Sequence, residues 1–368
     1  MTWIKRVGVA LVAPLVAVVA AMIITSVVVA MSGNSPLEFW EIIFSRPADR
    51  VWVNIVNQSS MIFLSALAAA VGFRMNLFNI GVEGQYRIGT FVAAVVAGEA
   101  WLPGKANTAL AILLAMVAGA LWAGIAGLLR VTRGVSEVIS TIMLNAIAGL
   151  LVGYLIGKVG VTTGVSTSTK TVPEESWVGG FKPFGDTPAE LYGLILLAVV
   201  VGIAFHVLLN DTRFGFNLRA TGMSESAAVA SGVKVPRMVM NAMLISGGIA
   251  GLVGMPLLFG QDYAYGTTFQ AGLGFSGIAI ALLGRNNAVG IAFAALLWAY
   301  LEQQSNGLQI KADVSPELVN IIQGVILFAV VIAYELIRRA DIRLEQARVA
   351  RELAKQRDTA TIEEGARA

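Results

Sequence analysis

TALAILLAMVAGALWAGIAGLL, spanning Thr108–Leu129, contains no charged residue and no proline. As a helix rising 1.5 Å per residue it is long enough to cross a hydrocarbon layer about 30 Å thick. In lipid every backbone donor and acceptor must find a partner within the chain, so a helix is the expected form. The whole composition agrees. Hydrophobic residues make up 57% of the 368, charged residues only 13%, and the mean hydropathy is +0.75. A soluble domain carries about 25% charge. This chain cannot cover a water-facing surface with half of that, so most of it faces lipid.

Working outward, the same character recurs along the chain. The first run, Val7–Met31, follows MTWIKR. It is longer than a signal-peptide core and has no small-residue cleavage motif near its end, so it reads as a retained helix. Ile55–Phe73, Arg87–Trp101, Thr108–Leu129 and Val138–Ile156 complete a first group. Leu191–Leu209, Met238–Phe259, Leu273–Leu283, Val289–Gln303 and Val319–Ile337 form a second. The third, eighth and ninth runs are short for a bilayer, and glycine breaks or oblique paths are expected there.

With the N-terminus inside, the larger share of the 26 Lys and Arg residues falls on the inner side. Positive residues favour the cytoplasmic side, and an even number of spans returns the C-terminus to it. The reading is an all-α polytopic membrane protein with about ten transmembrane helices and both termini cytoplasmic. Residues 1–6 are a cytoplasmic N-terminus and residues 7–337 a membrane domain with halves at about 7–157 and 191–337. Residues 338–368 are a charged cytoplasmic helix and tail. Five spans per half give the halves opposite orientations, so an internal repeat would be inverted. Each half holds a glycine-rich segment flanked by arginine and asparagine: FRMNLFNIGVEGQYRIG (73–89) and GFSGIAIALLGRNNAVG (274–290). The outer loops 32–53 and 158–190 read as either ordered caps or mobile segments.

Several chemistries are excluded. There is no cysteine, hence no disulfide, thiolate metal site or cysteine nucleophile, and the single histidine, His206, reads as an interfacial residue. No paired carboxylates or nucleophile–base set stands out, and no metal or cofactor is called for. Polar side chains at membrane depth are costly and become functional candidates by default. Asn76, Asn79, Glu83 and Gln85 sit in MNLFNIGVEGQ, where Gly81 and Gly84 permit a broken helix, with Phe78 and Tyr86 nearby for ring stacking. Fastening of the bundle, through Glu83 paired with Arg74 or Arg87, is the simpler reading; direct substrate contact is the other. Asn145 and Glu137 are similar cases. Asn54, Asn57 and Gln58 crowd the outer end of one span, and Glu302, Gln303 and Gln304 that of another. Both clusters read more simply as hydrated helix ends than as a docking point for substrate. The run from Ser246 through Gly247, Gly248 and Gly251 to Gly254 reads as close helix packing.

The largest internal cytoplasmic loop is 210–237. Within it, Ser224–Ala230 is expected to form a short helix with a small-residue face, capped by Ser224 and stopped by Gly232. Arg219, Lys234 and Arg237 add polar contacts for a partner.

Here a resemblance becomes specific. SAAVASG (226–232) is similar to the EAA-x3-G coupling loop of ABC importer permeases, with Ser226 in place of the glutamate, followed by Ala227, Ala228 and Gly232. NLRATGMSESAAVASGVKVPR (217–237) and GFSGIAIALLGRNNAVG resemble the simple-sugar and nucleoside branch, ribose and branched-chain amino acid permeases included. FRMNLFNIGVEGQYRIG and VSEVISTIMLN (135–145) resemble permeases of nucleoside importers that work with basic membrane lipoprotein-type receptors. The likeness runs from about Asn57 to Tyr334.

The resemblance implies a multi-pass subunit of a bacterial inner membrane that translocates a nucleoside. Its motor would be separate ATP-binding cassette subunits docking through Arg219, Ser226, Ala227, Ala228 and Gly232, and the chain itself has no G-x-x-x-x-G-K-[ST] sequence. A second permease, different or identical, and an extracytoplasmic substrate-binding lipoprotein would complete the importer; no nucleic acid is involved. Asn76, Phe78, Asn79, Glu83, Gln85 and Asn145 would line the substrate path. A ribose-like monosaccharide is the alternative cargo. An ion-coupled secondary transporter is the alternative class, disfavoured because few acidic residues other than Glu83 and Glu137 lie in the central spans.

Overall fold

The computed structural model describes residues 19–164, 166–185, 188–267, 269–311, 321–325, 328 and 346. The expected tenth span, most of the charged tail and the start of the first span lie outside these residues. The chain divides into two compact units, residues 1–43 with 308–368 and residues 44–307. In the first, α1 (Val19–Met31) and α2 (Pro36–Phe44) are tied by the Trp40 indole N–H, which donates to Ser26 Oγ at 2.8 Å.

The second unit is built on α3 (Asp49–Phe73), α4 (Val82–Gly98), α5 (Gly104–Arg133) and α6 (Glu137–Val159). After an outer loop come α7 (Ile195–Asn210), α8 (Arg213–Met223), α9 (Glu225–Ala230) and α10 (Val235–Ala250). The chain continues through α11 (Met255–Leu257) and a π-helical turn to Asp262, then α12 (Leu273–Leu283) and α13 (Ala288–Lys311). Among the described residues, four helical stretches have the length and apolar character to cross a membrane: α3, α5, α6 and Val235–Asp262. The pair α7 and α8, bent by 65°, makes a fifth. Length and hydropathy thus single out fewer spans than the ten expected. Two of the three runs expected to be short are so, α4 with 17 residues and α12 with only 11; the ninth is not, since α13 runs unbroken for 24 residues, past the polar cluster at Glu302 where hydropathy ends it.

Lipid tails are as apolar as leucine, so burying leucine gains little between helices, and close backbone packing decides which faces meet. On α5 the row Ala111, Ala115, Gly119 and Ala123 is buried, while Leu113, Val117, Leu121 and Leu128 are exposed on the other side. The small row packs on α10. A Cβ on Gly247 would overlap the carbonyl of Gly119, and one on Gly251 would overlap that of Ala115. The glycine run therefore serves the close packing expected of it. Gly248 stands apart, since its Cβ would meet only an ordinary contact 3.7 Å away. α3 is central, buried over 89% of its most apolar stretch, against 28% for α5.

Loop 158–190 is ordered in its described parts. Strands β1 (Val161–Thr163) and β2 (Ser166–Ser168) form an antiparallel hairpin. The chain beyond it donates from Val172 N to Tyr263 O at 2.7 Å and from Val178 N to Phe259 O at 3.1 Å. Trp177 stacks on Tyr263 with ring centroids 3.8 Å apart.

Candidate functional site

The segment between α3 and α4 is broken as its glycines suggested, and Asn79 is its hub. Its side chain is fully buried. Asn79 Nδ2 donates to Gln85 Oε1 at 3.0 Å and to Ser246 Oγ at 2.8 Å. Its Oδ1 accepts from Gly81 N at 3.0 Å and from Gln85 Nε2 at 2.9 Å. Ser246 passes its own proton to Ala68 O at 2.6 Å. Every polar atom of Asn79 is therefore engaged, joining α3, α4 and α10 at a point where an unmade hydrogen bond would be expensive.

Glu83 acts beside it. Its Oε1 accepts from Arg87 Nε at 2.8 Å and from Gly272 N at 2.9 Å, and Oε2 accepts from Gly274 N at 2.8 Å. The carboxylate so caps the first turn of α12, where a helix leaves backbone donors unsatisfied and favours negative charge. Gly274 is required there, because a Cβ would overlap the backbone of Glu83. Asn145, on α6, holds the same break from the other side, donating to Ile80 O at 2.9 Å and accepting from Gly84 N at 2.8 Å. Glu137 accepts from Phe78 N at 3.3 Å and lies 3.5 Å from Arg130.

The two arginine–asparagine segments meet at one end of the unit. α3 closes with Leu77 N donating to Gly72 O at 3.0 Å around Asn76 at φ 56°. α12 closes the same way, with Asn286 N donating to Ala281 O at 2.8 Å around Arg285 at φ 58°. Both are six-to-one helix stops with a left-handed residue, normally a glycine position. Arg74 Nε donates to Asn286 O at 2.8 Å, and Asn76 Nδ2 to Gly222 O of α8 at 2.6 Å. A cavity of about 680 Å³ opens here, with Arg74, Arg219 and Arg285 in its wall and no acidic residue.

α8 follows α7 around Gly215, whose Cβ would overlap the end of α7, and Thr212 caps it by accepting from Gly215 N at 3.2 Å. α9 is capped by Ser224, which accepts from Ala227 N at 3.3 Å. Gly232, at φ 81°, ends that turn. Ser226 and Ala227 are exposed, whereas Ala228 is 3% exposed and faces the chain's own core. Arg219 bonds to Leu209 O and braces the α7–α8 bend.

A second polar cavity, of about 300 Å³, lies at the opposite end of α3. The structure brings together there the two clusters that sequence reading took for separate hydrated ends. Asn57 is 4% and Gln58 6% exposed, and Gln303 donates to Gln58. α3, α13 and the 257–270 segment converge on them. Tyr192, Gln261 and Gln270 complete the wall. Composition and spacing gave no signal for these three, which lie in loops or at helix ends far apart in sequence.

Of the residues expected along a substrate path, Asn79, Glu83, Gln85 and Asn145 are thus committed to holding helices together. Asn76 and Phe78 are exposed near α8, with Phe78 packed on Phe73 at 5.3 Å between ring centroids.

Small-residue helix packing, discontinuous helices and polar cavities toward both ends of α3 fit a multi-pass membrane protein. The chain belongs to the family described as branched-chain amino acid transport system / permease component, which matches residues 51–331. It is 34% identical to the guanosine ABC transporter permease protein NupP of Bacillus subtilis, over 88% of this chain and 94% of that one. It is 29% identical to the glucose ABC transporter permease protein TsgB13 of Haloferax volcanii, over 86% of each. To the nucleoside ABC transporter permease protein NupB of Lactococcus lactis it is 26% identical, over 87% of this chain and 90% of that one.

Proposed function

We propose that this chain is the translocating subunit of an ATP-driven importer that carries a nucleoside across a bacterial inner membrane. The observation that carries the reading is the 34% identity to a guanosine permease over nearly the full length of both chains. The exposed Ser226 and Ala227 on α9 support docking of an ATPase subunit, with Arg219 bracing the bend that would pass its motion into α7. A second permease and a lipoprotein receptor complete the assembly. In this reading both termini and loop 210–237 are cytoplasmic, and ten spans form inverted halves, 7–157 and 191–337. Residues 338–368 form the cytoplasmic tail.

The 29% identity to a glucose permease favours a second reading, a hexose or ribose-like sugar as cargo. The test is uptake in cells that carry the whole importer and no other route for nucleosides. Saturable guanosine or uridine uptake that vanishes on deletion of the ATPase subunit is expected. Uptake that survives that deletion and collapses with a protonophore would rule the proposal out.

A further inference from the structure

The cavity at the outer end of α3 gathers polar side chains, of which Asn57 and Gln58 are buried and Asn54, Gln270, Glu302 and Gln303 half-buried. Asn57 is spent on its surroundings: Nδ2 donates to Glu190 O at 2.9 Å and Oδ1 accepts from Tyr192 N at 2.9 Å. Tyr192 in turn donates to Gln261 at 2.6 Å, and Gln58 is bonded to Gln303. Those contacts pin the wall. The same void is lined by the amides of Asn54 and Gln270 and by the carboxylate of Glu302. Met61 and Leu257 supply its apolar surface. Amides and a carboxylate at membrane depth are costly, and packing does not account for grouping them around a space.

The position suits a waypoint. From Gln58 to Phe73 α3 climbs roughly 22 Å, so the two polar cavities sit in opposite halves of the bilayer. α13 runs from one cavity, at Gly290, to the other, at Glu302. Between the cavities the seam is shut, because Ser65 Oγ donates to Leu273 O at 2.8 Å and a Cβ on Gly277 would overlap Ser65.

The chemistry selects the ligand. A volume of about 300 Å³ is at the small end of ligand pockets, right for one nucleoside-sized molecule. Amides offer paired donors and acceptors to a base edge, and a carboxylate accepts from ribose hydroxyls. No cation lines the cavity, so a phosphate would meet the Glu302 carboxylate uncompensated. Arg74, Arg219 and Arg285 line the opposite cavity.

We infer that this cavity is a binding subsite for an uncharged nucleoside, in which Glu302, Gln270 and Asn54 set selectivity and exclude phosphorylated forms. The inference rests on the nucleoside-import reading. It also requires that any nucleotide supply be dephosphorylated before it reaches this permease, by a phosphomonoester hydrolysis outside the membrane.

The test uses the complete importer in cells, with tritiated guanosine and uridine, GMP labelled on its phosphate, and labelled glucose as probes. The receptor is unchanged among variants, so a shift in the ratio of guanosine to uridine rates must arise in the permease. Glu302→Gln and Gln270→Leu are each expected to lower the maximal nucleoside rate about tenfold, the scale of one lost hydrogen bond to a charged or buried group. Each should also change the guanosine-to-uridine ratio at least threefold, with Glu302→Asp restoring part of the rate and wild type taking up no GMP. Should Glu302→Gln reduce the assembled complex, Asn54→Leu and Gln270→Leu decide by the ratio alone. Nucleoside uptake with unaltered ratios in these variants, or wild-type GMP uptake, overturns the subsite. Wild-type uptake of glucose with neither nucleoside overturns instead the import reading on which it stands.

Discussion

Arg74 and Asn286 are joined across 212 positions of sequence by a 2.8 Å hydrogen bond from the guanidinium Nε to the main-chain oxygen. The acceptor belongs to the helix stop of α12 and the donor to that of α3, so one side chain locks two equivalent turns. Arg74→Ala is expected to leave the protein in the membrane and to slow transport several-fold, with about 1 kcal/mol lost from stability. Thermal unfolding in detergent, set beside uptake, measures both. Unchanged uptake would mean the two turns need not move together.

Asn79→Ala would strip partners from Gln85, Gly81 N–H and Ser246 at once. A loss of about 3 kcal/mol is expected, since buried groups are left unsatisfied. Ser246→Ala should cost less, because it removes one link only. A melting curve for Asn79→Ala that overlays wild type would contradict the hub.

Glu83→Gln should act on stability rather than on substrate choice. The amide loses the ion pair with Arg87 and one of two acceptor oxygens at the start of α12. Lower yield of folded protein with an unaltered guanosine-to-uridine ratio is the expected pattern. A changed ratio would return Glu83 to the substrate path.

Gly247→Ala and Gly248→Ala separate packing from propensity. The first should destabilise by about 1–3 kcal/mol through overpacking against Gly119. The second meets only an ordinary contact and should be neutral or slightly stabilising. Equal behaviour of the two would show that α5 and α10 are not in backbone contact.

Ala227→Trp should uncouple ATP hydrolysis from transport while the melting temperature stays put, because Ala227 is exposed. Ala228→Trp should instead destabilise the chain, since that position is buried in it. ATPase assays on the assembled importer distinguish the two. Coupled transport in Ala227→Trp would remove α9 from the docking surface.

Much of the fold was legible in the sequence. Uncharged runs such as Thr108–Leu129 announce their solvent by composition alone, and the boundaries of α12 could be read directly. The glycine run on α10 declared close packing, because a residue without Cβ at repeated spacing has few other uses in lipid. Legibility failed at the boundaries of α3 and α4, where cap and turn chemistry outweighs hydropathy. It failed again for Asn79, Gln85 and Asn145, where residue type flagged importance without showing whether the amides face a ligand or one another.

By itself, then, the sequence determined that this is a many-helix membrane protein, where its helices break, and which family it resembles. Hydropathy and glycine spacing are local quantities, and local chain chemistry suffices to set them. Tertiary structure alone decided that Asn79 bonds to α10 and Glu83 to the start of α12, that Ala228 faces inward, and that Asn54, Gln270 and Glu302 share one cavity. A buried polar group is defined by what lies across from it, and in a bundle that neighbour can be hundreds of residues away.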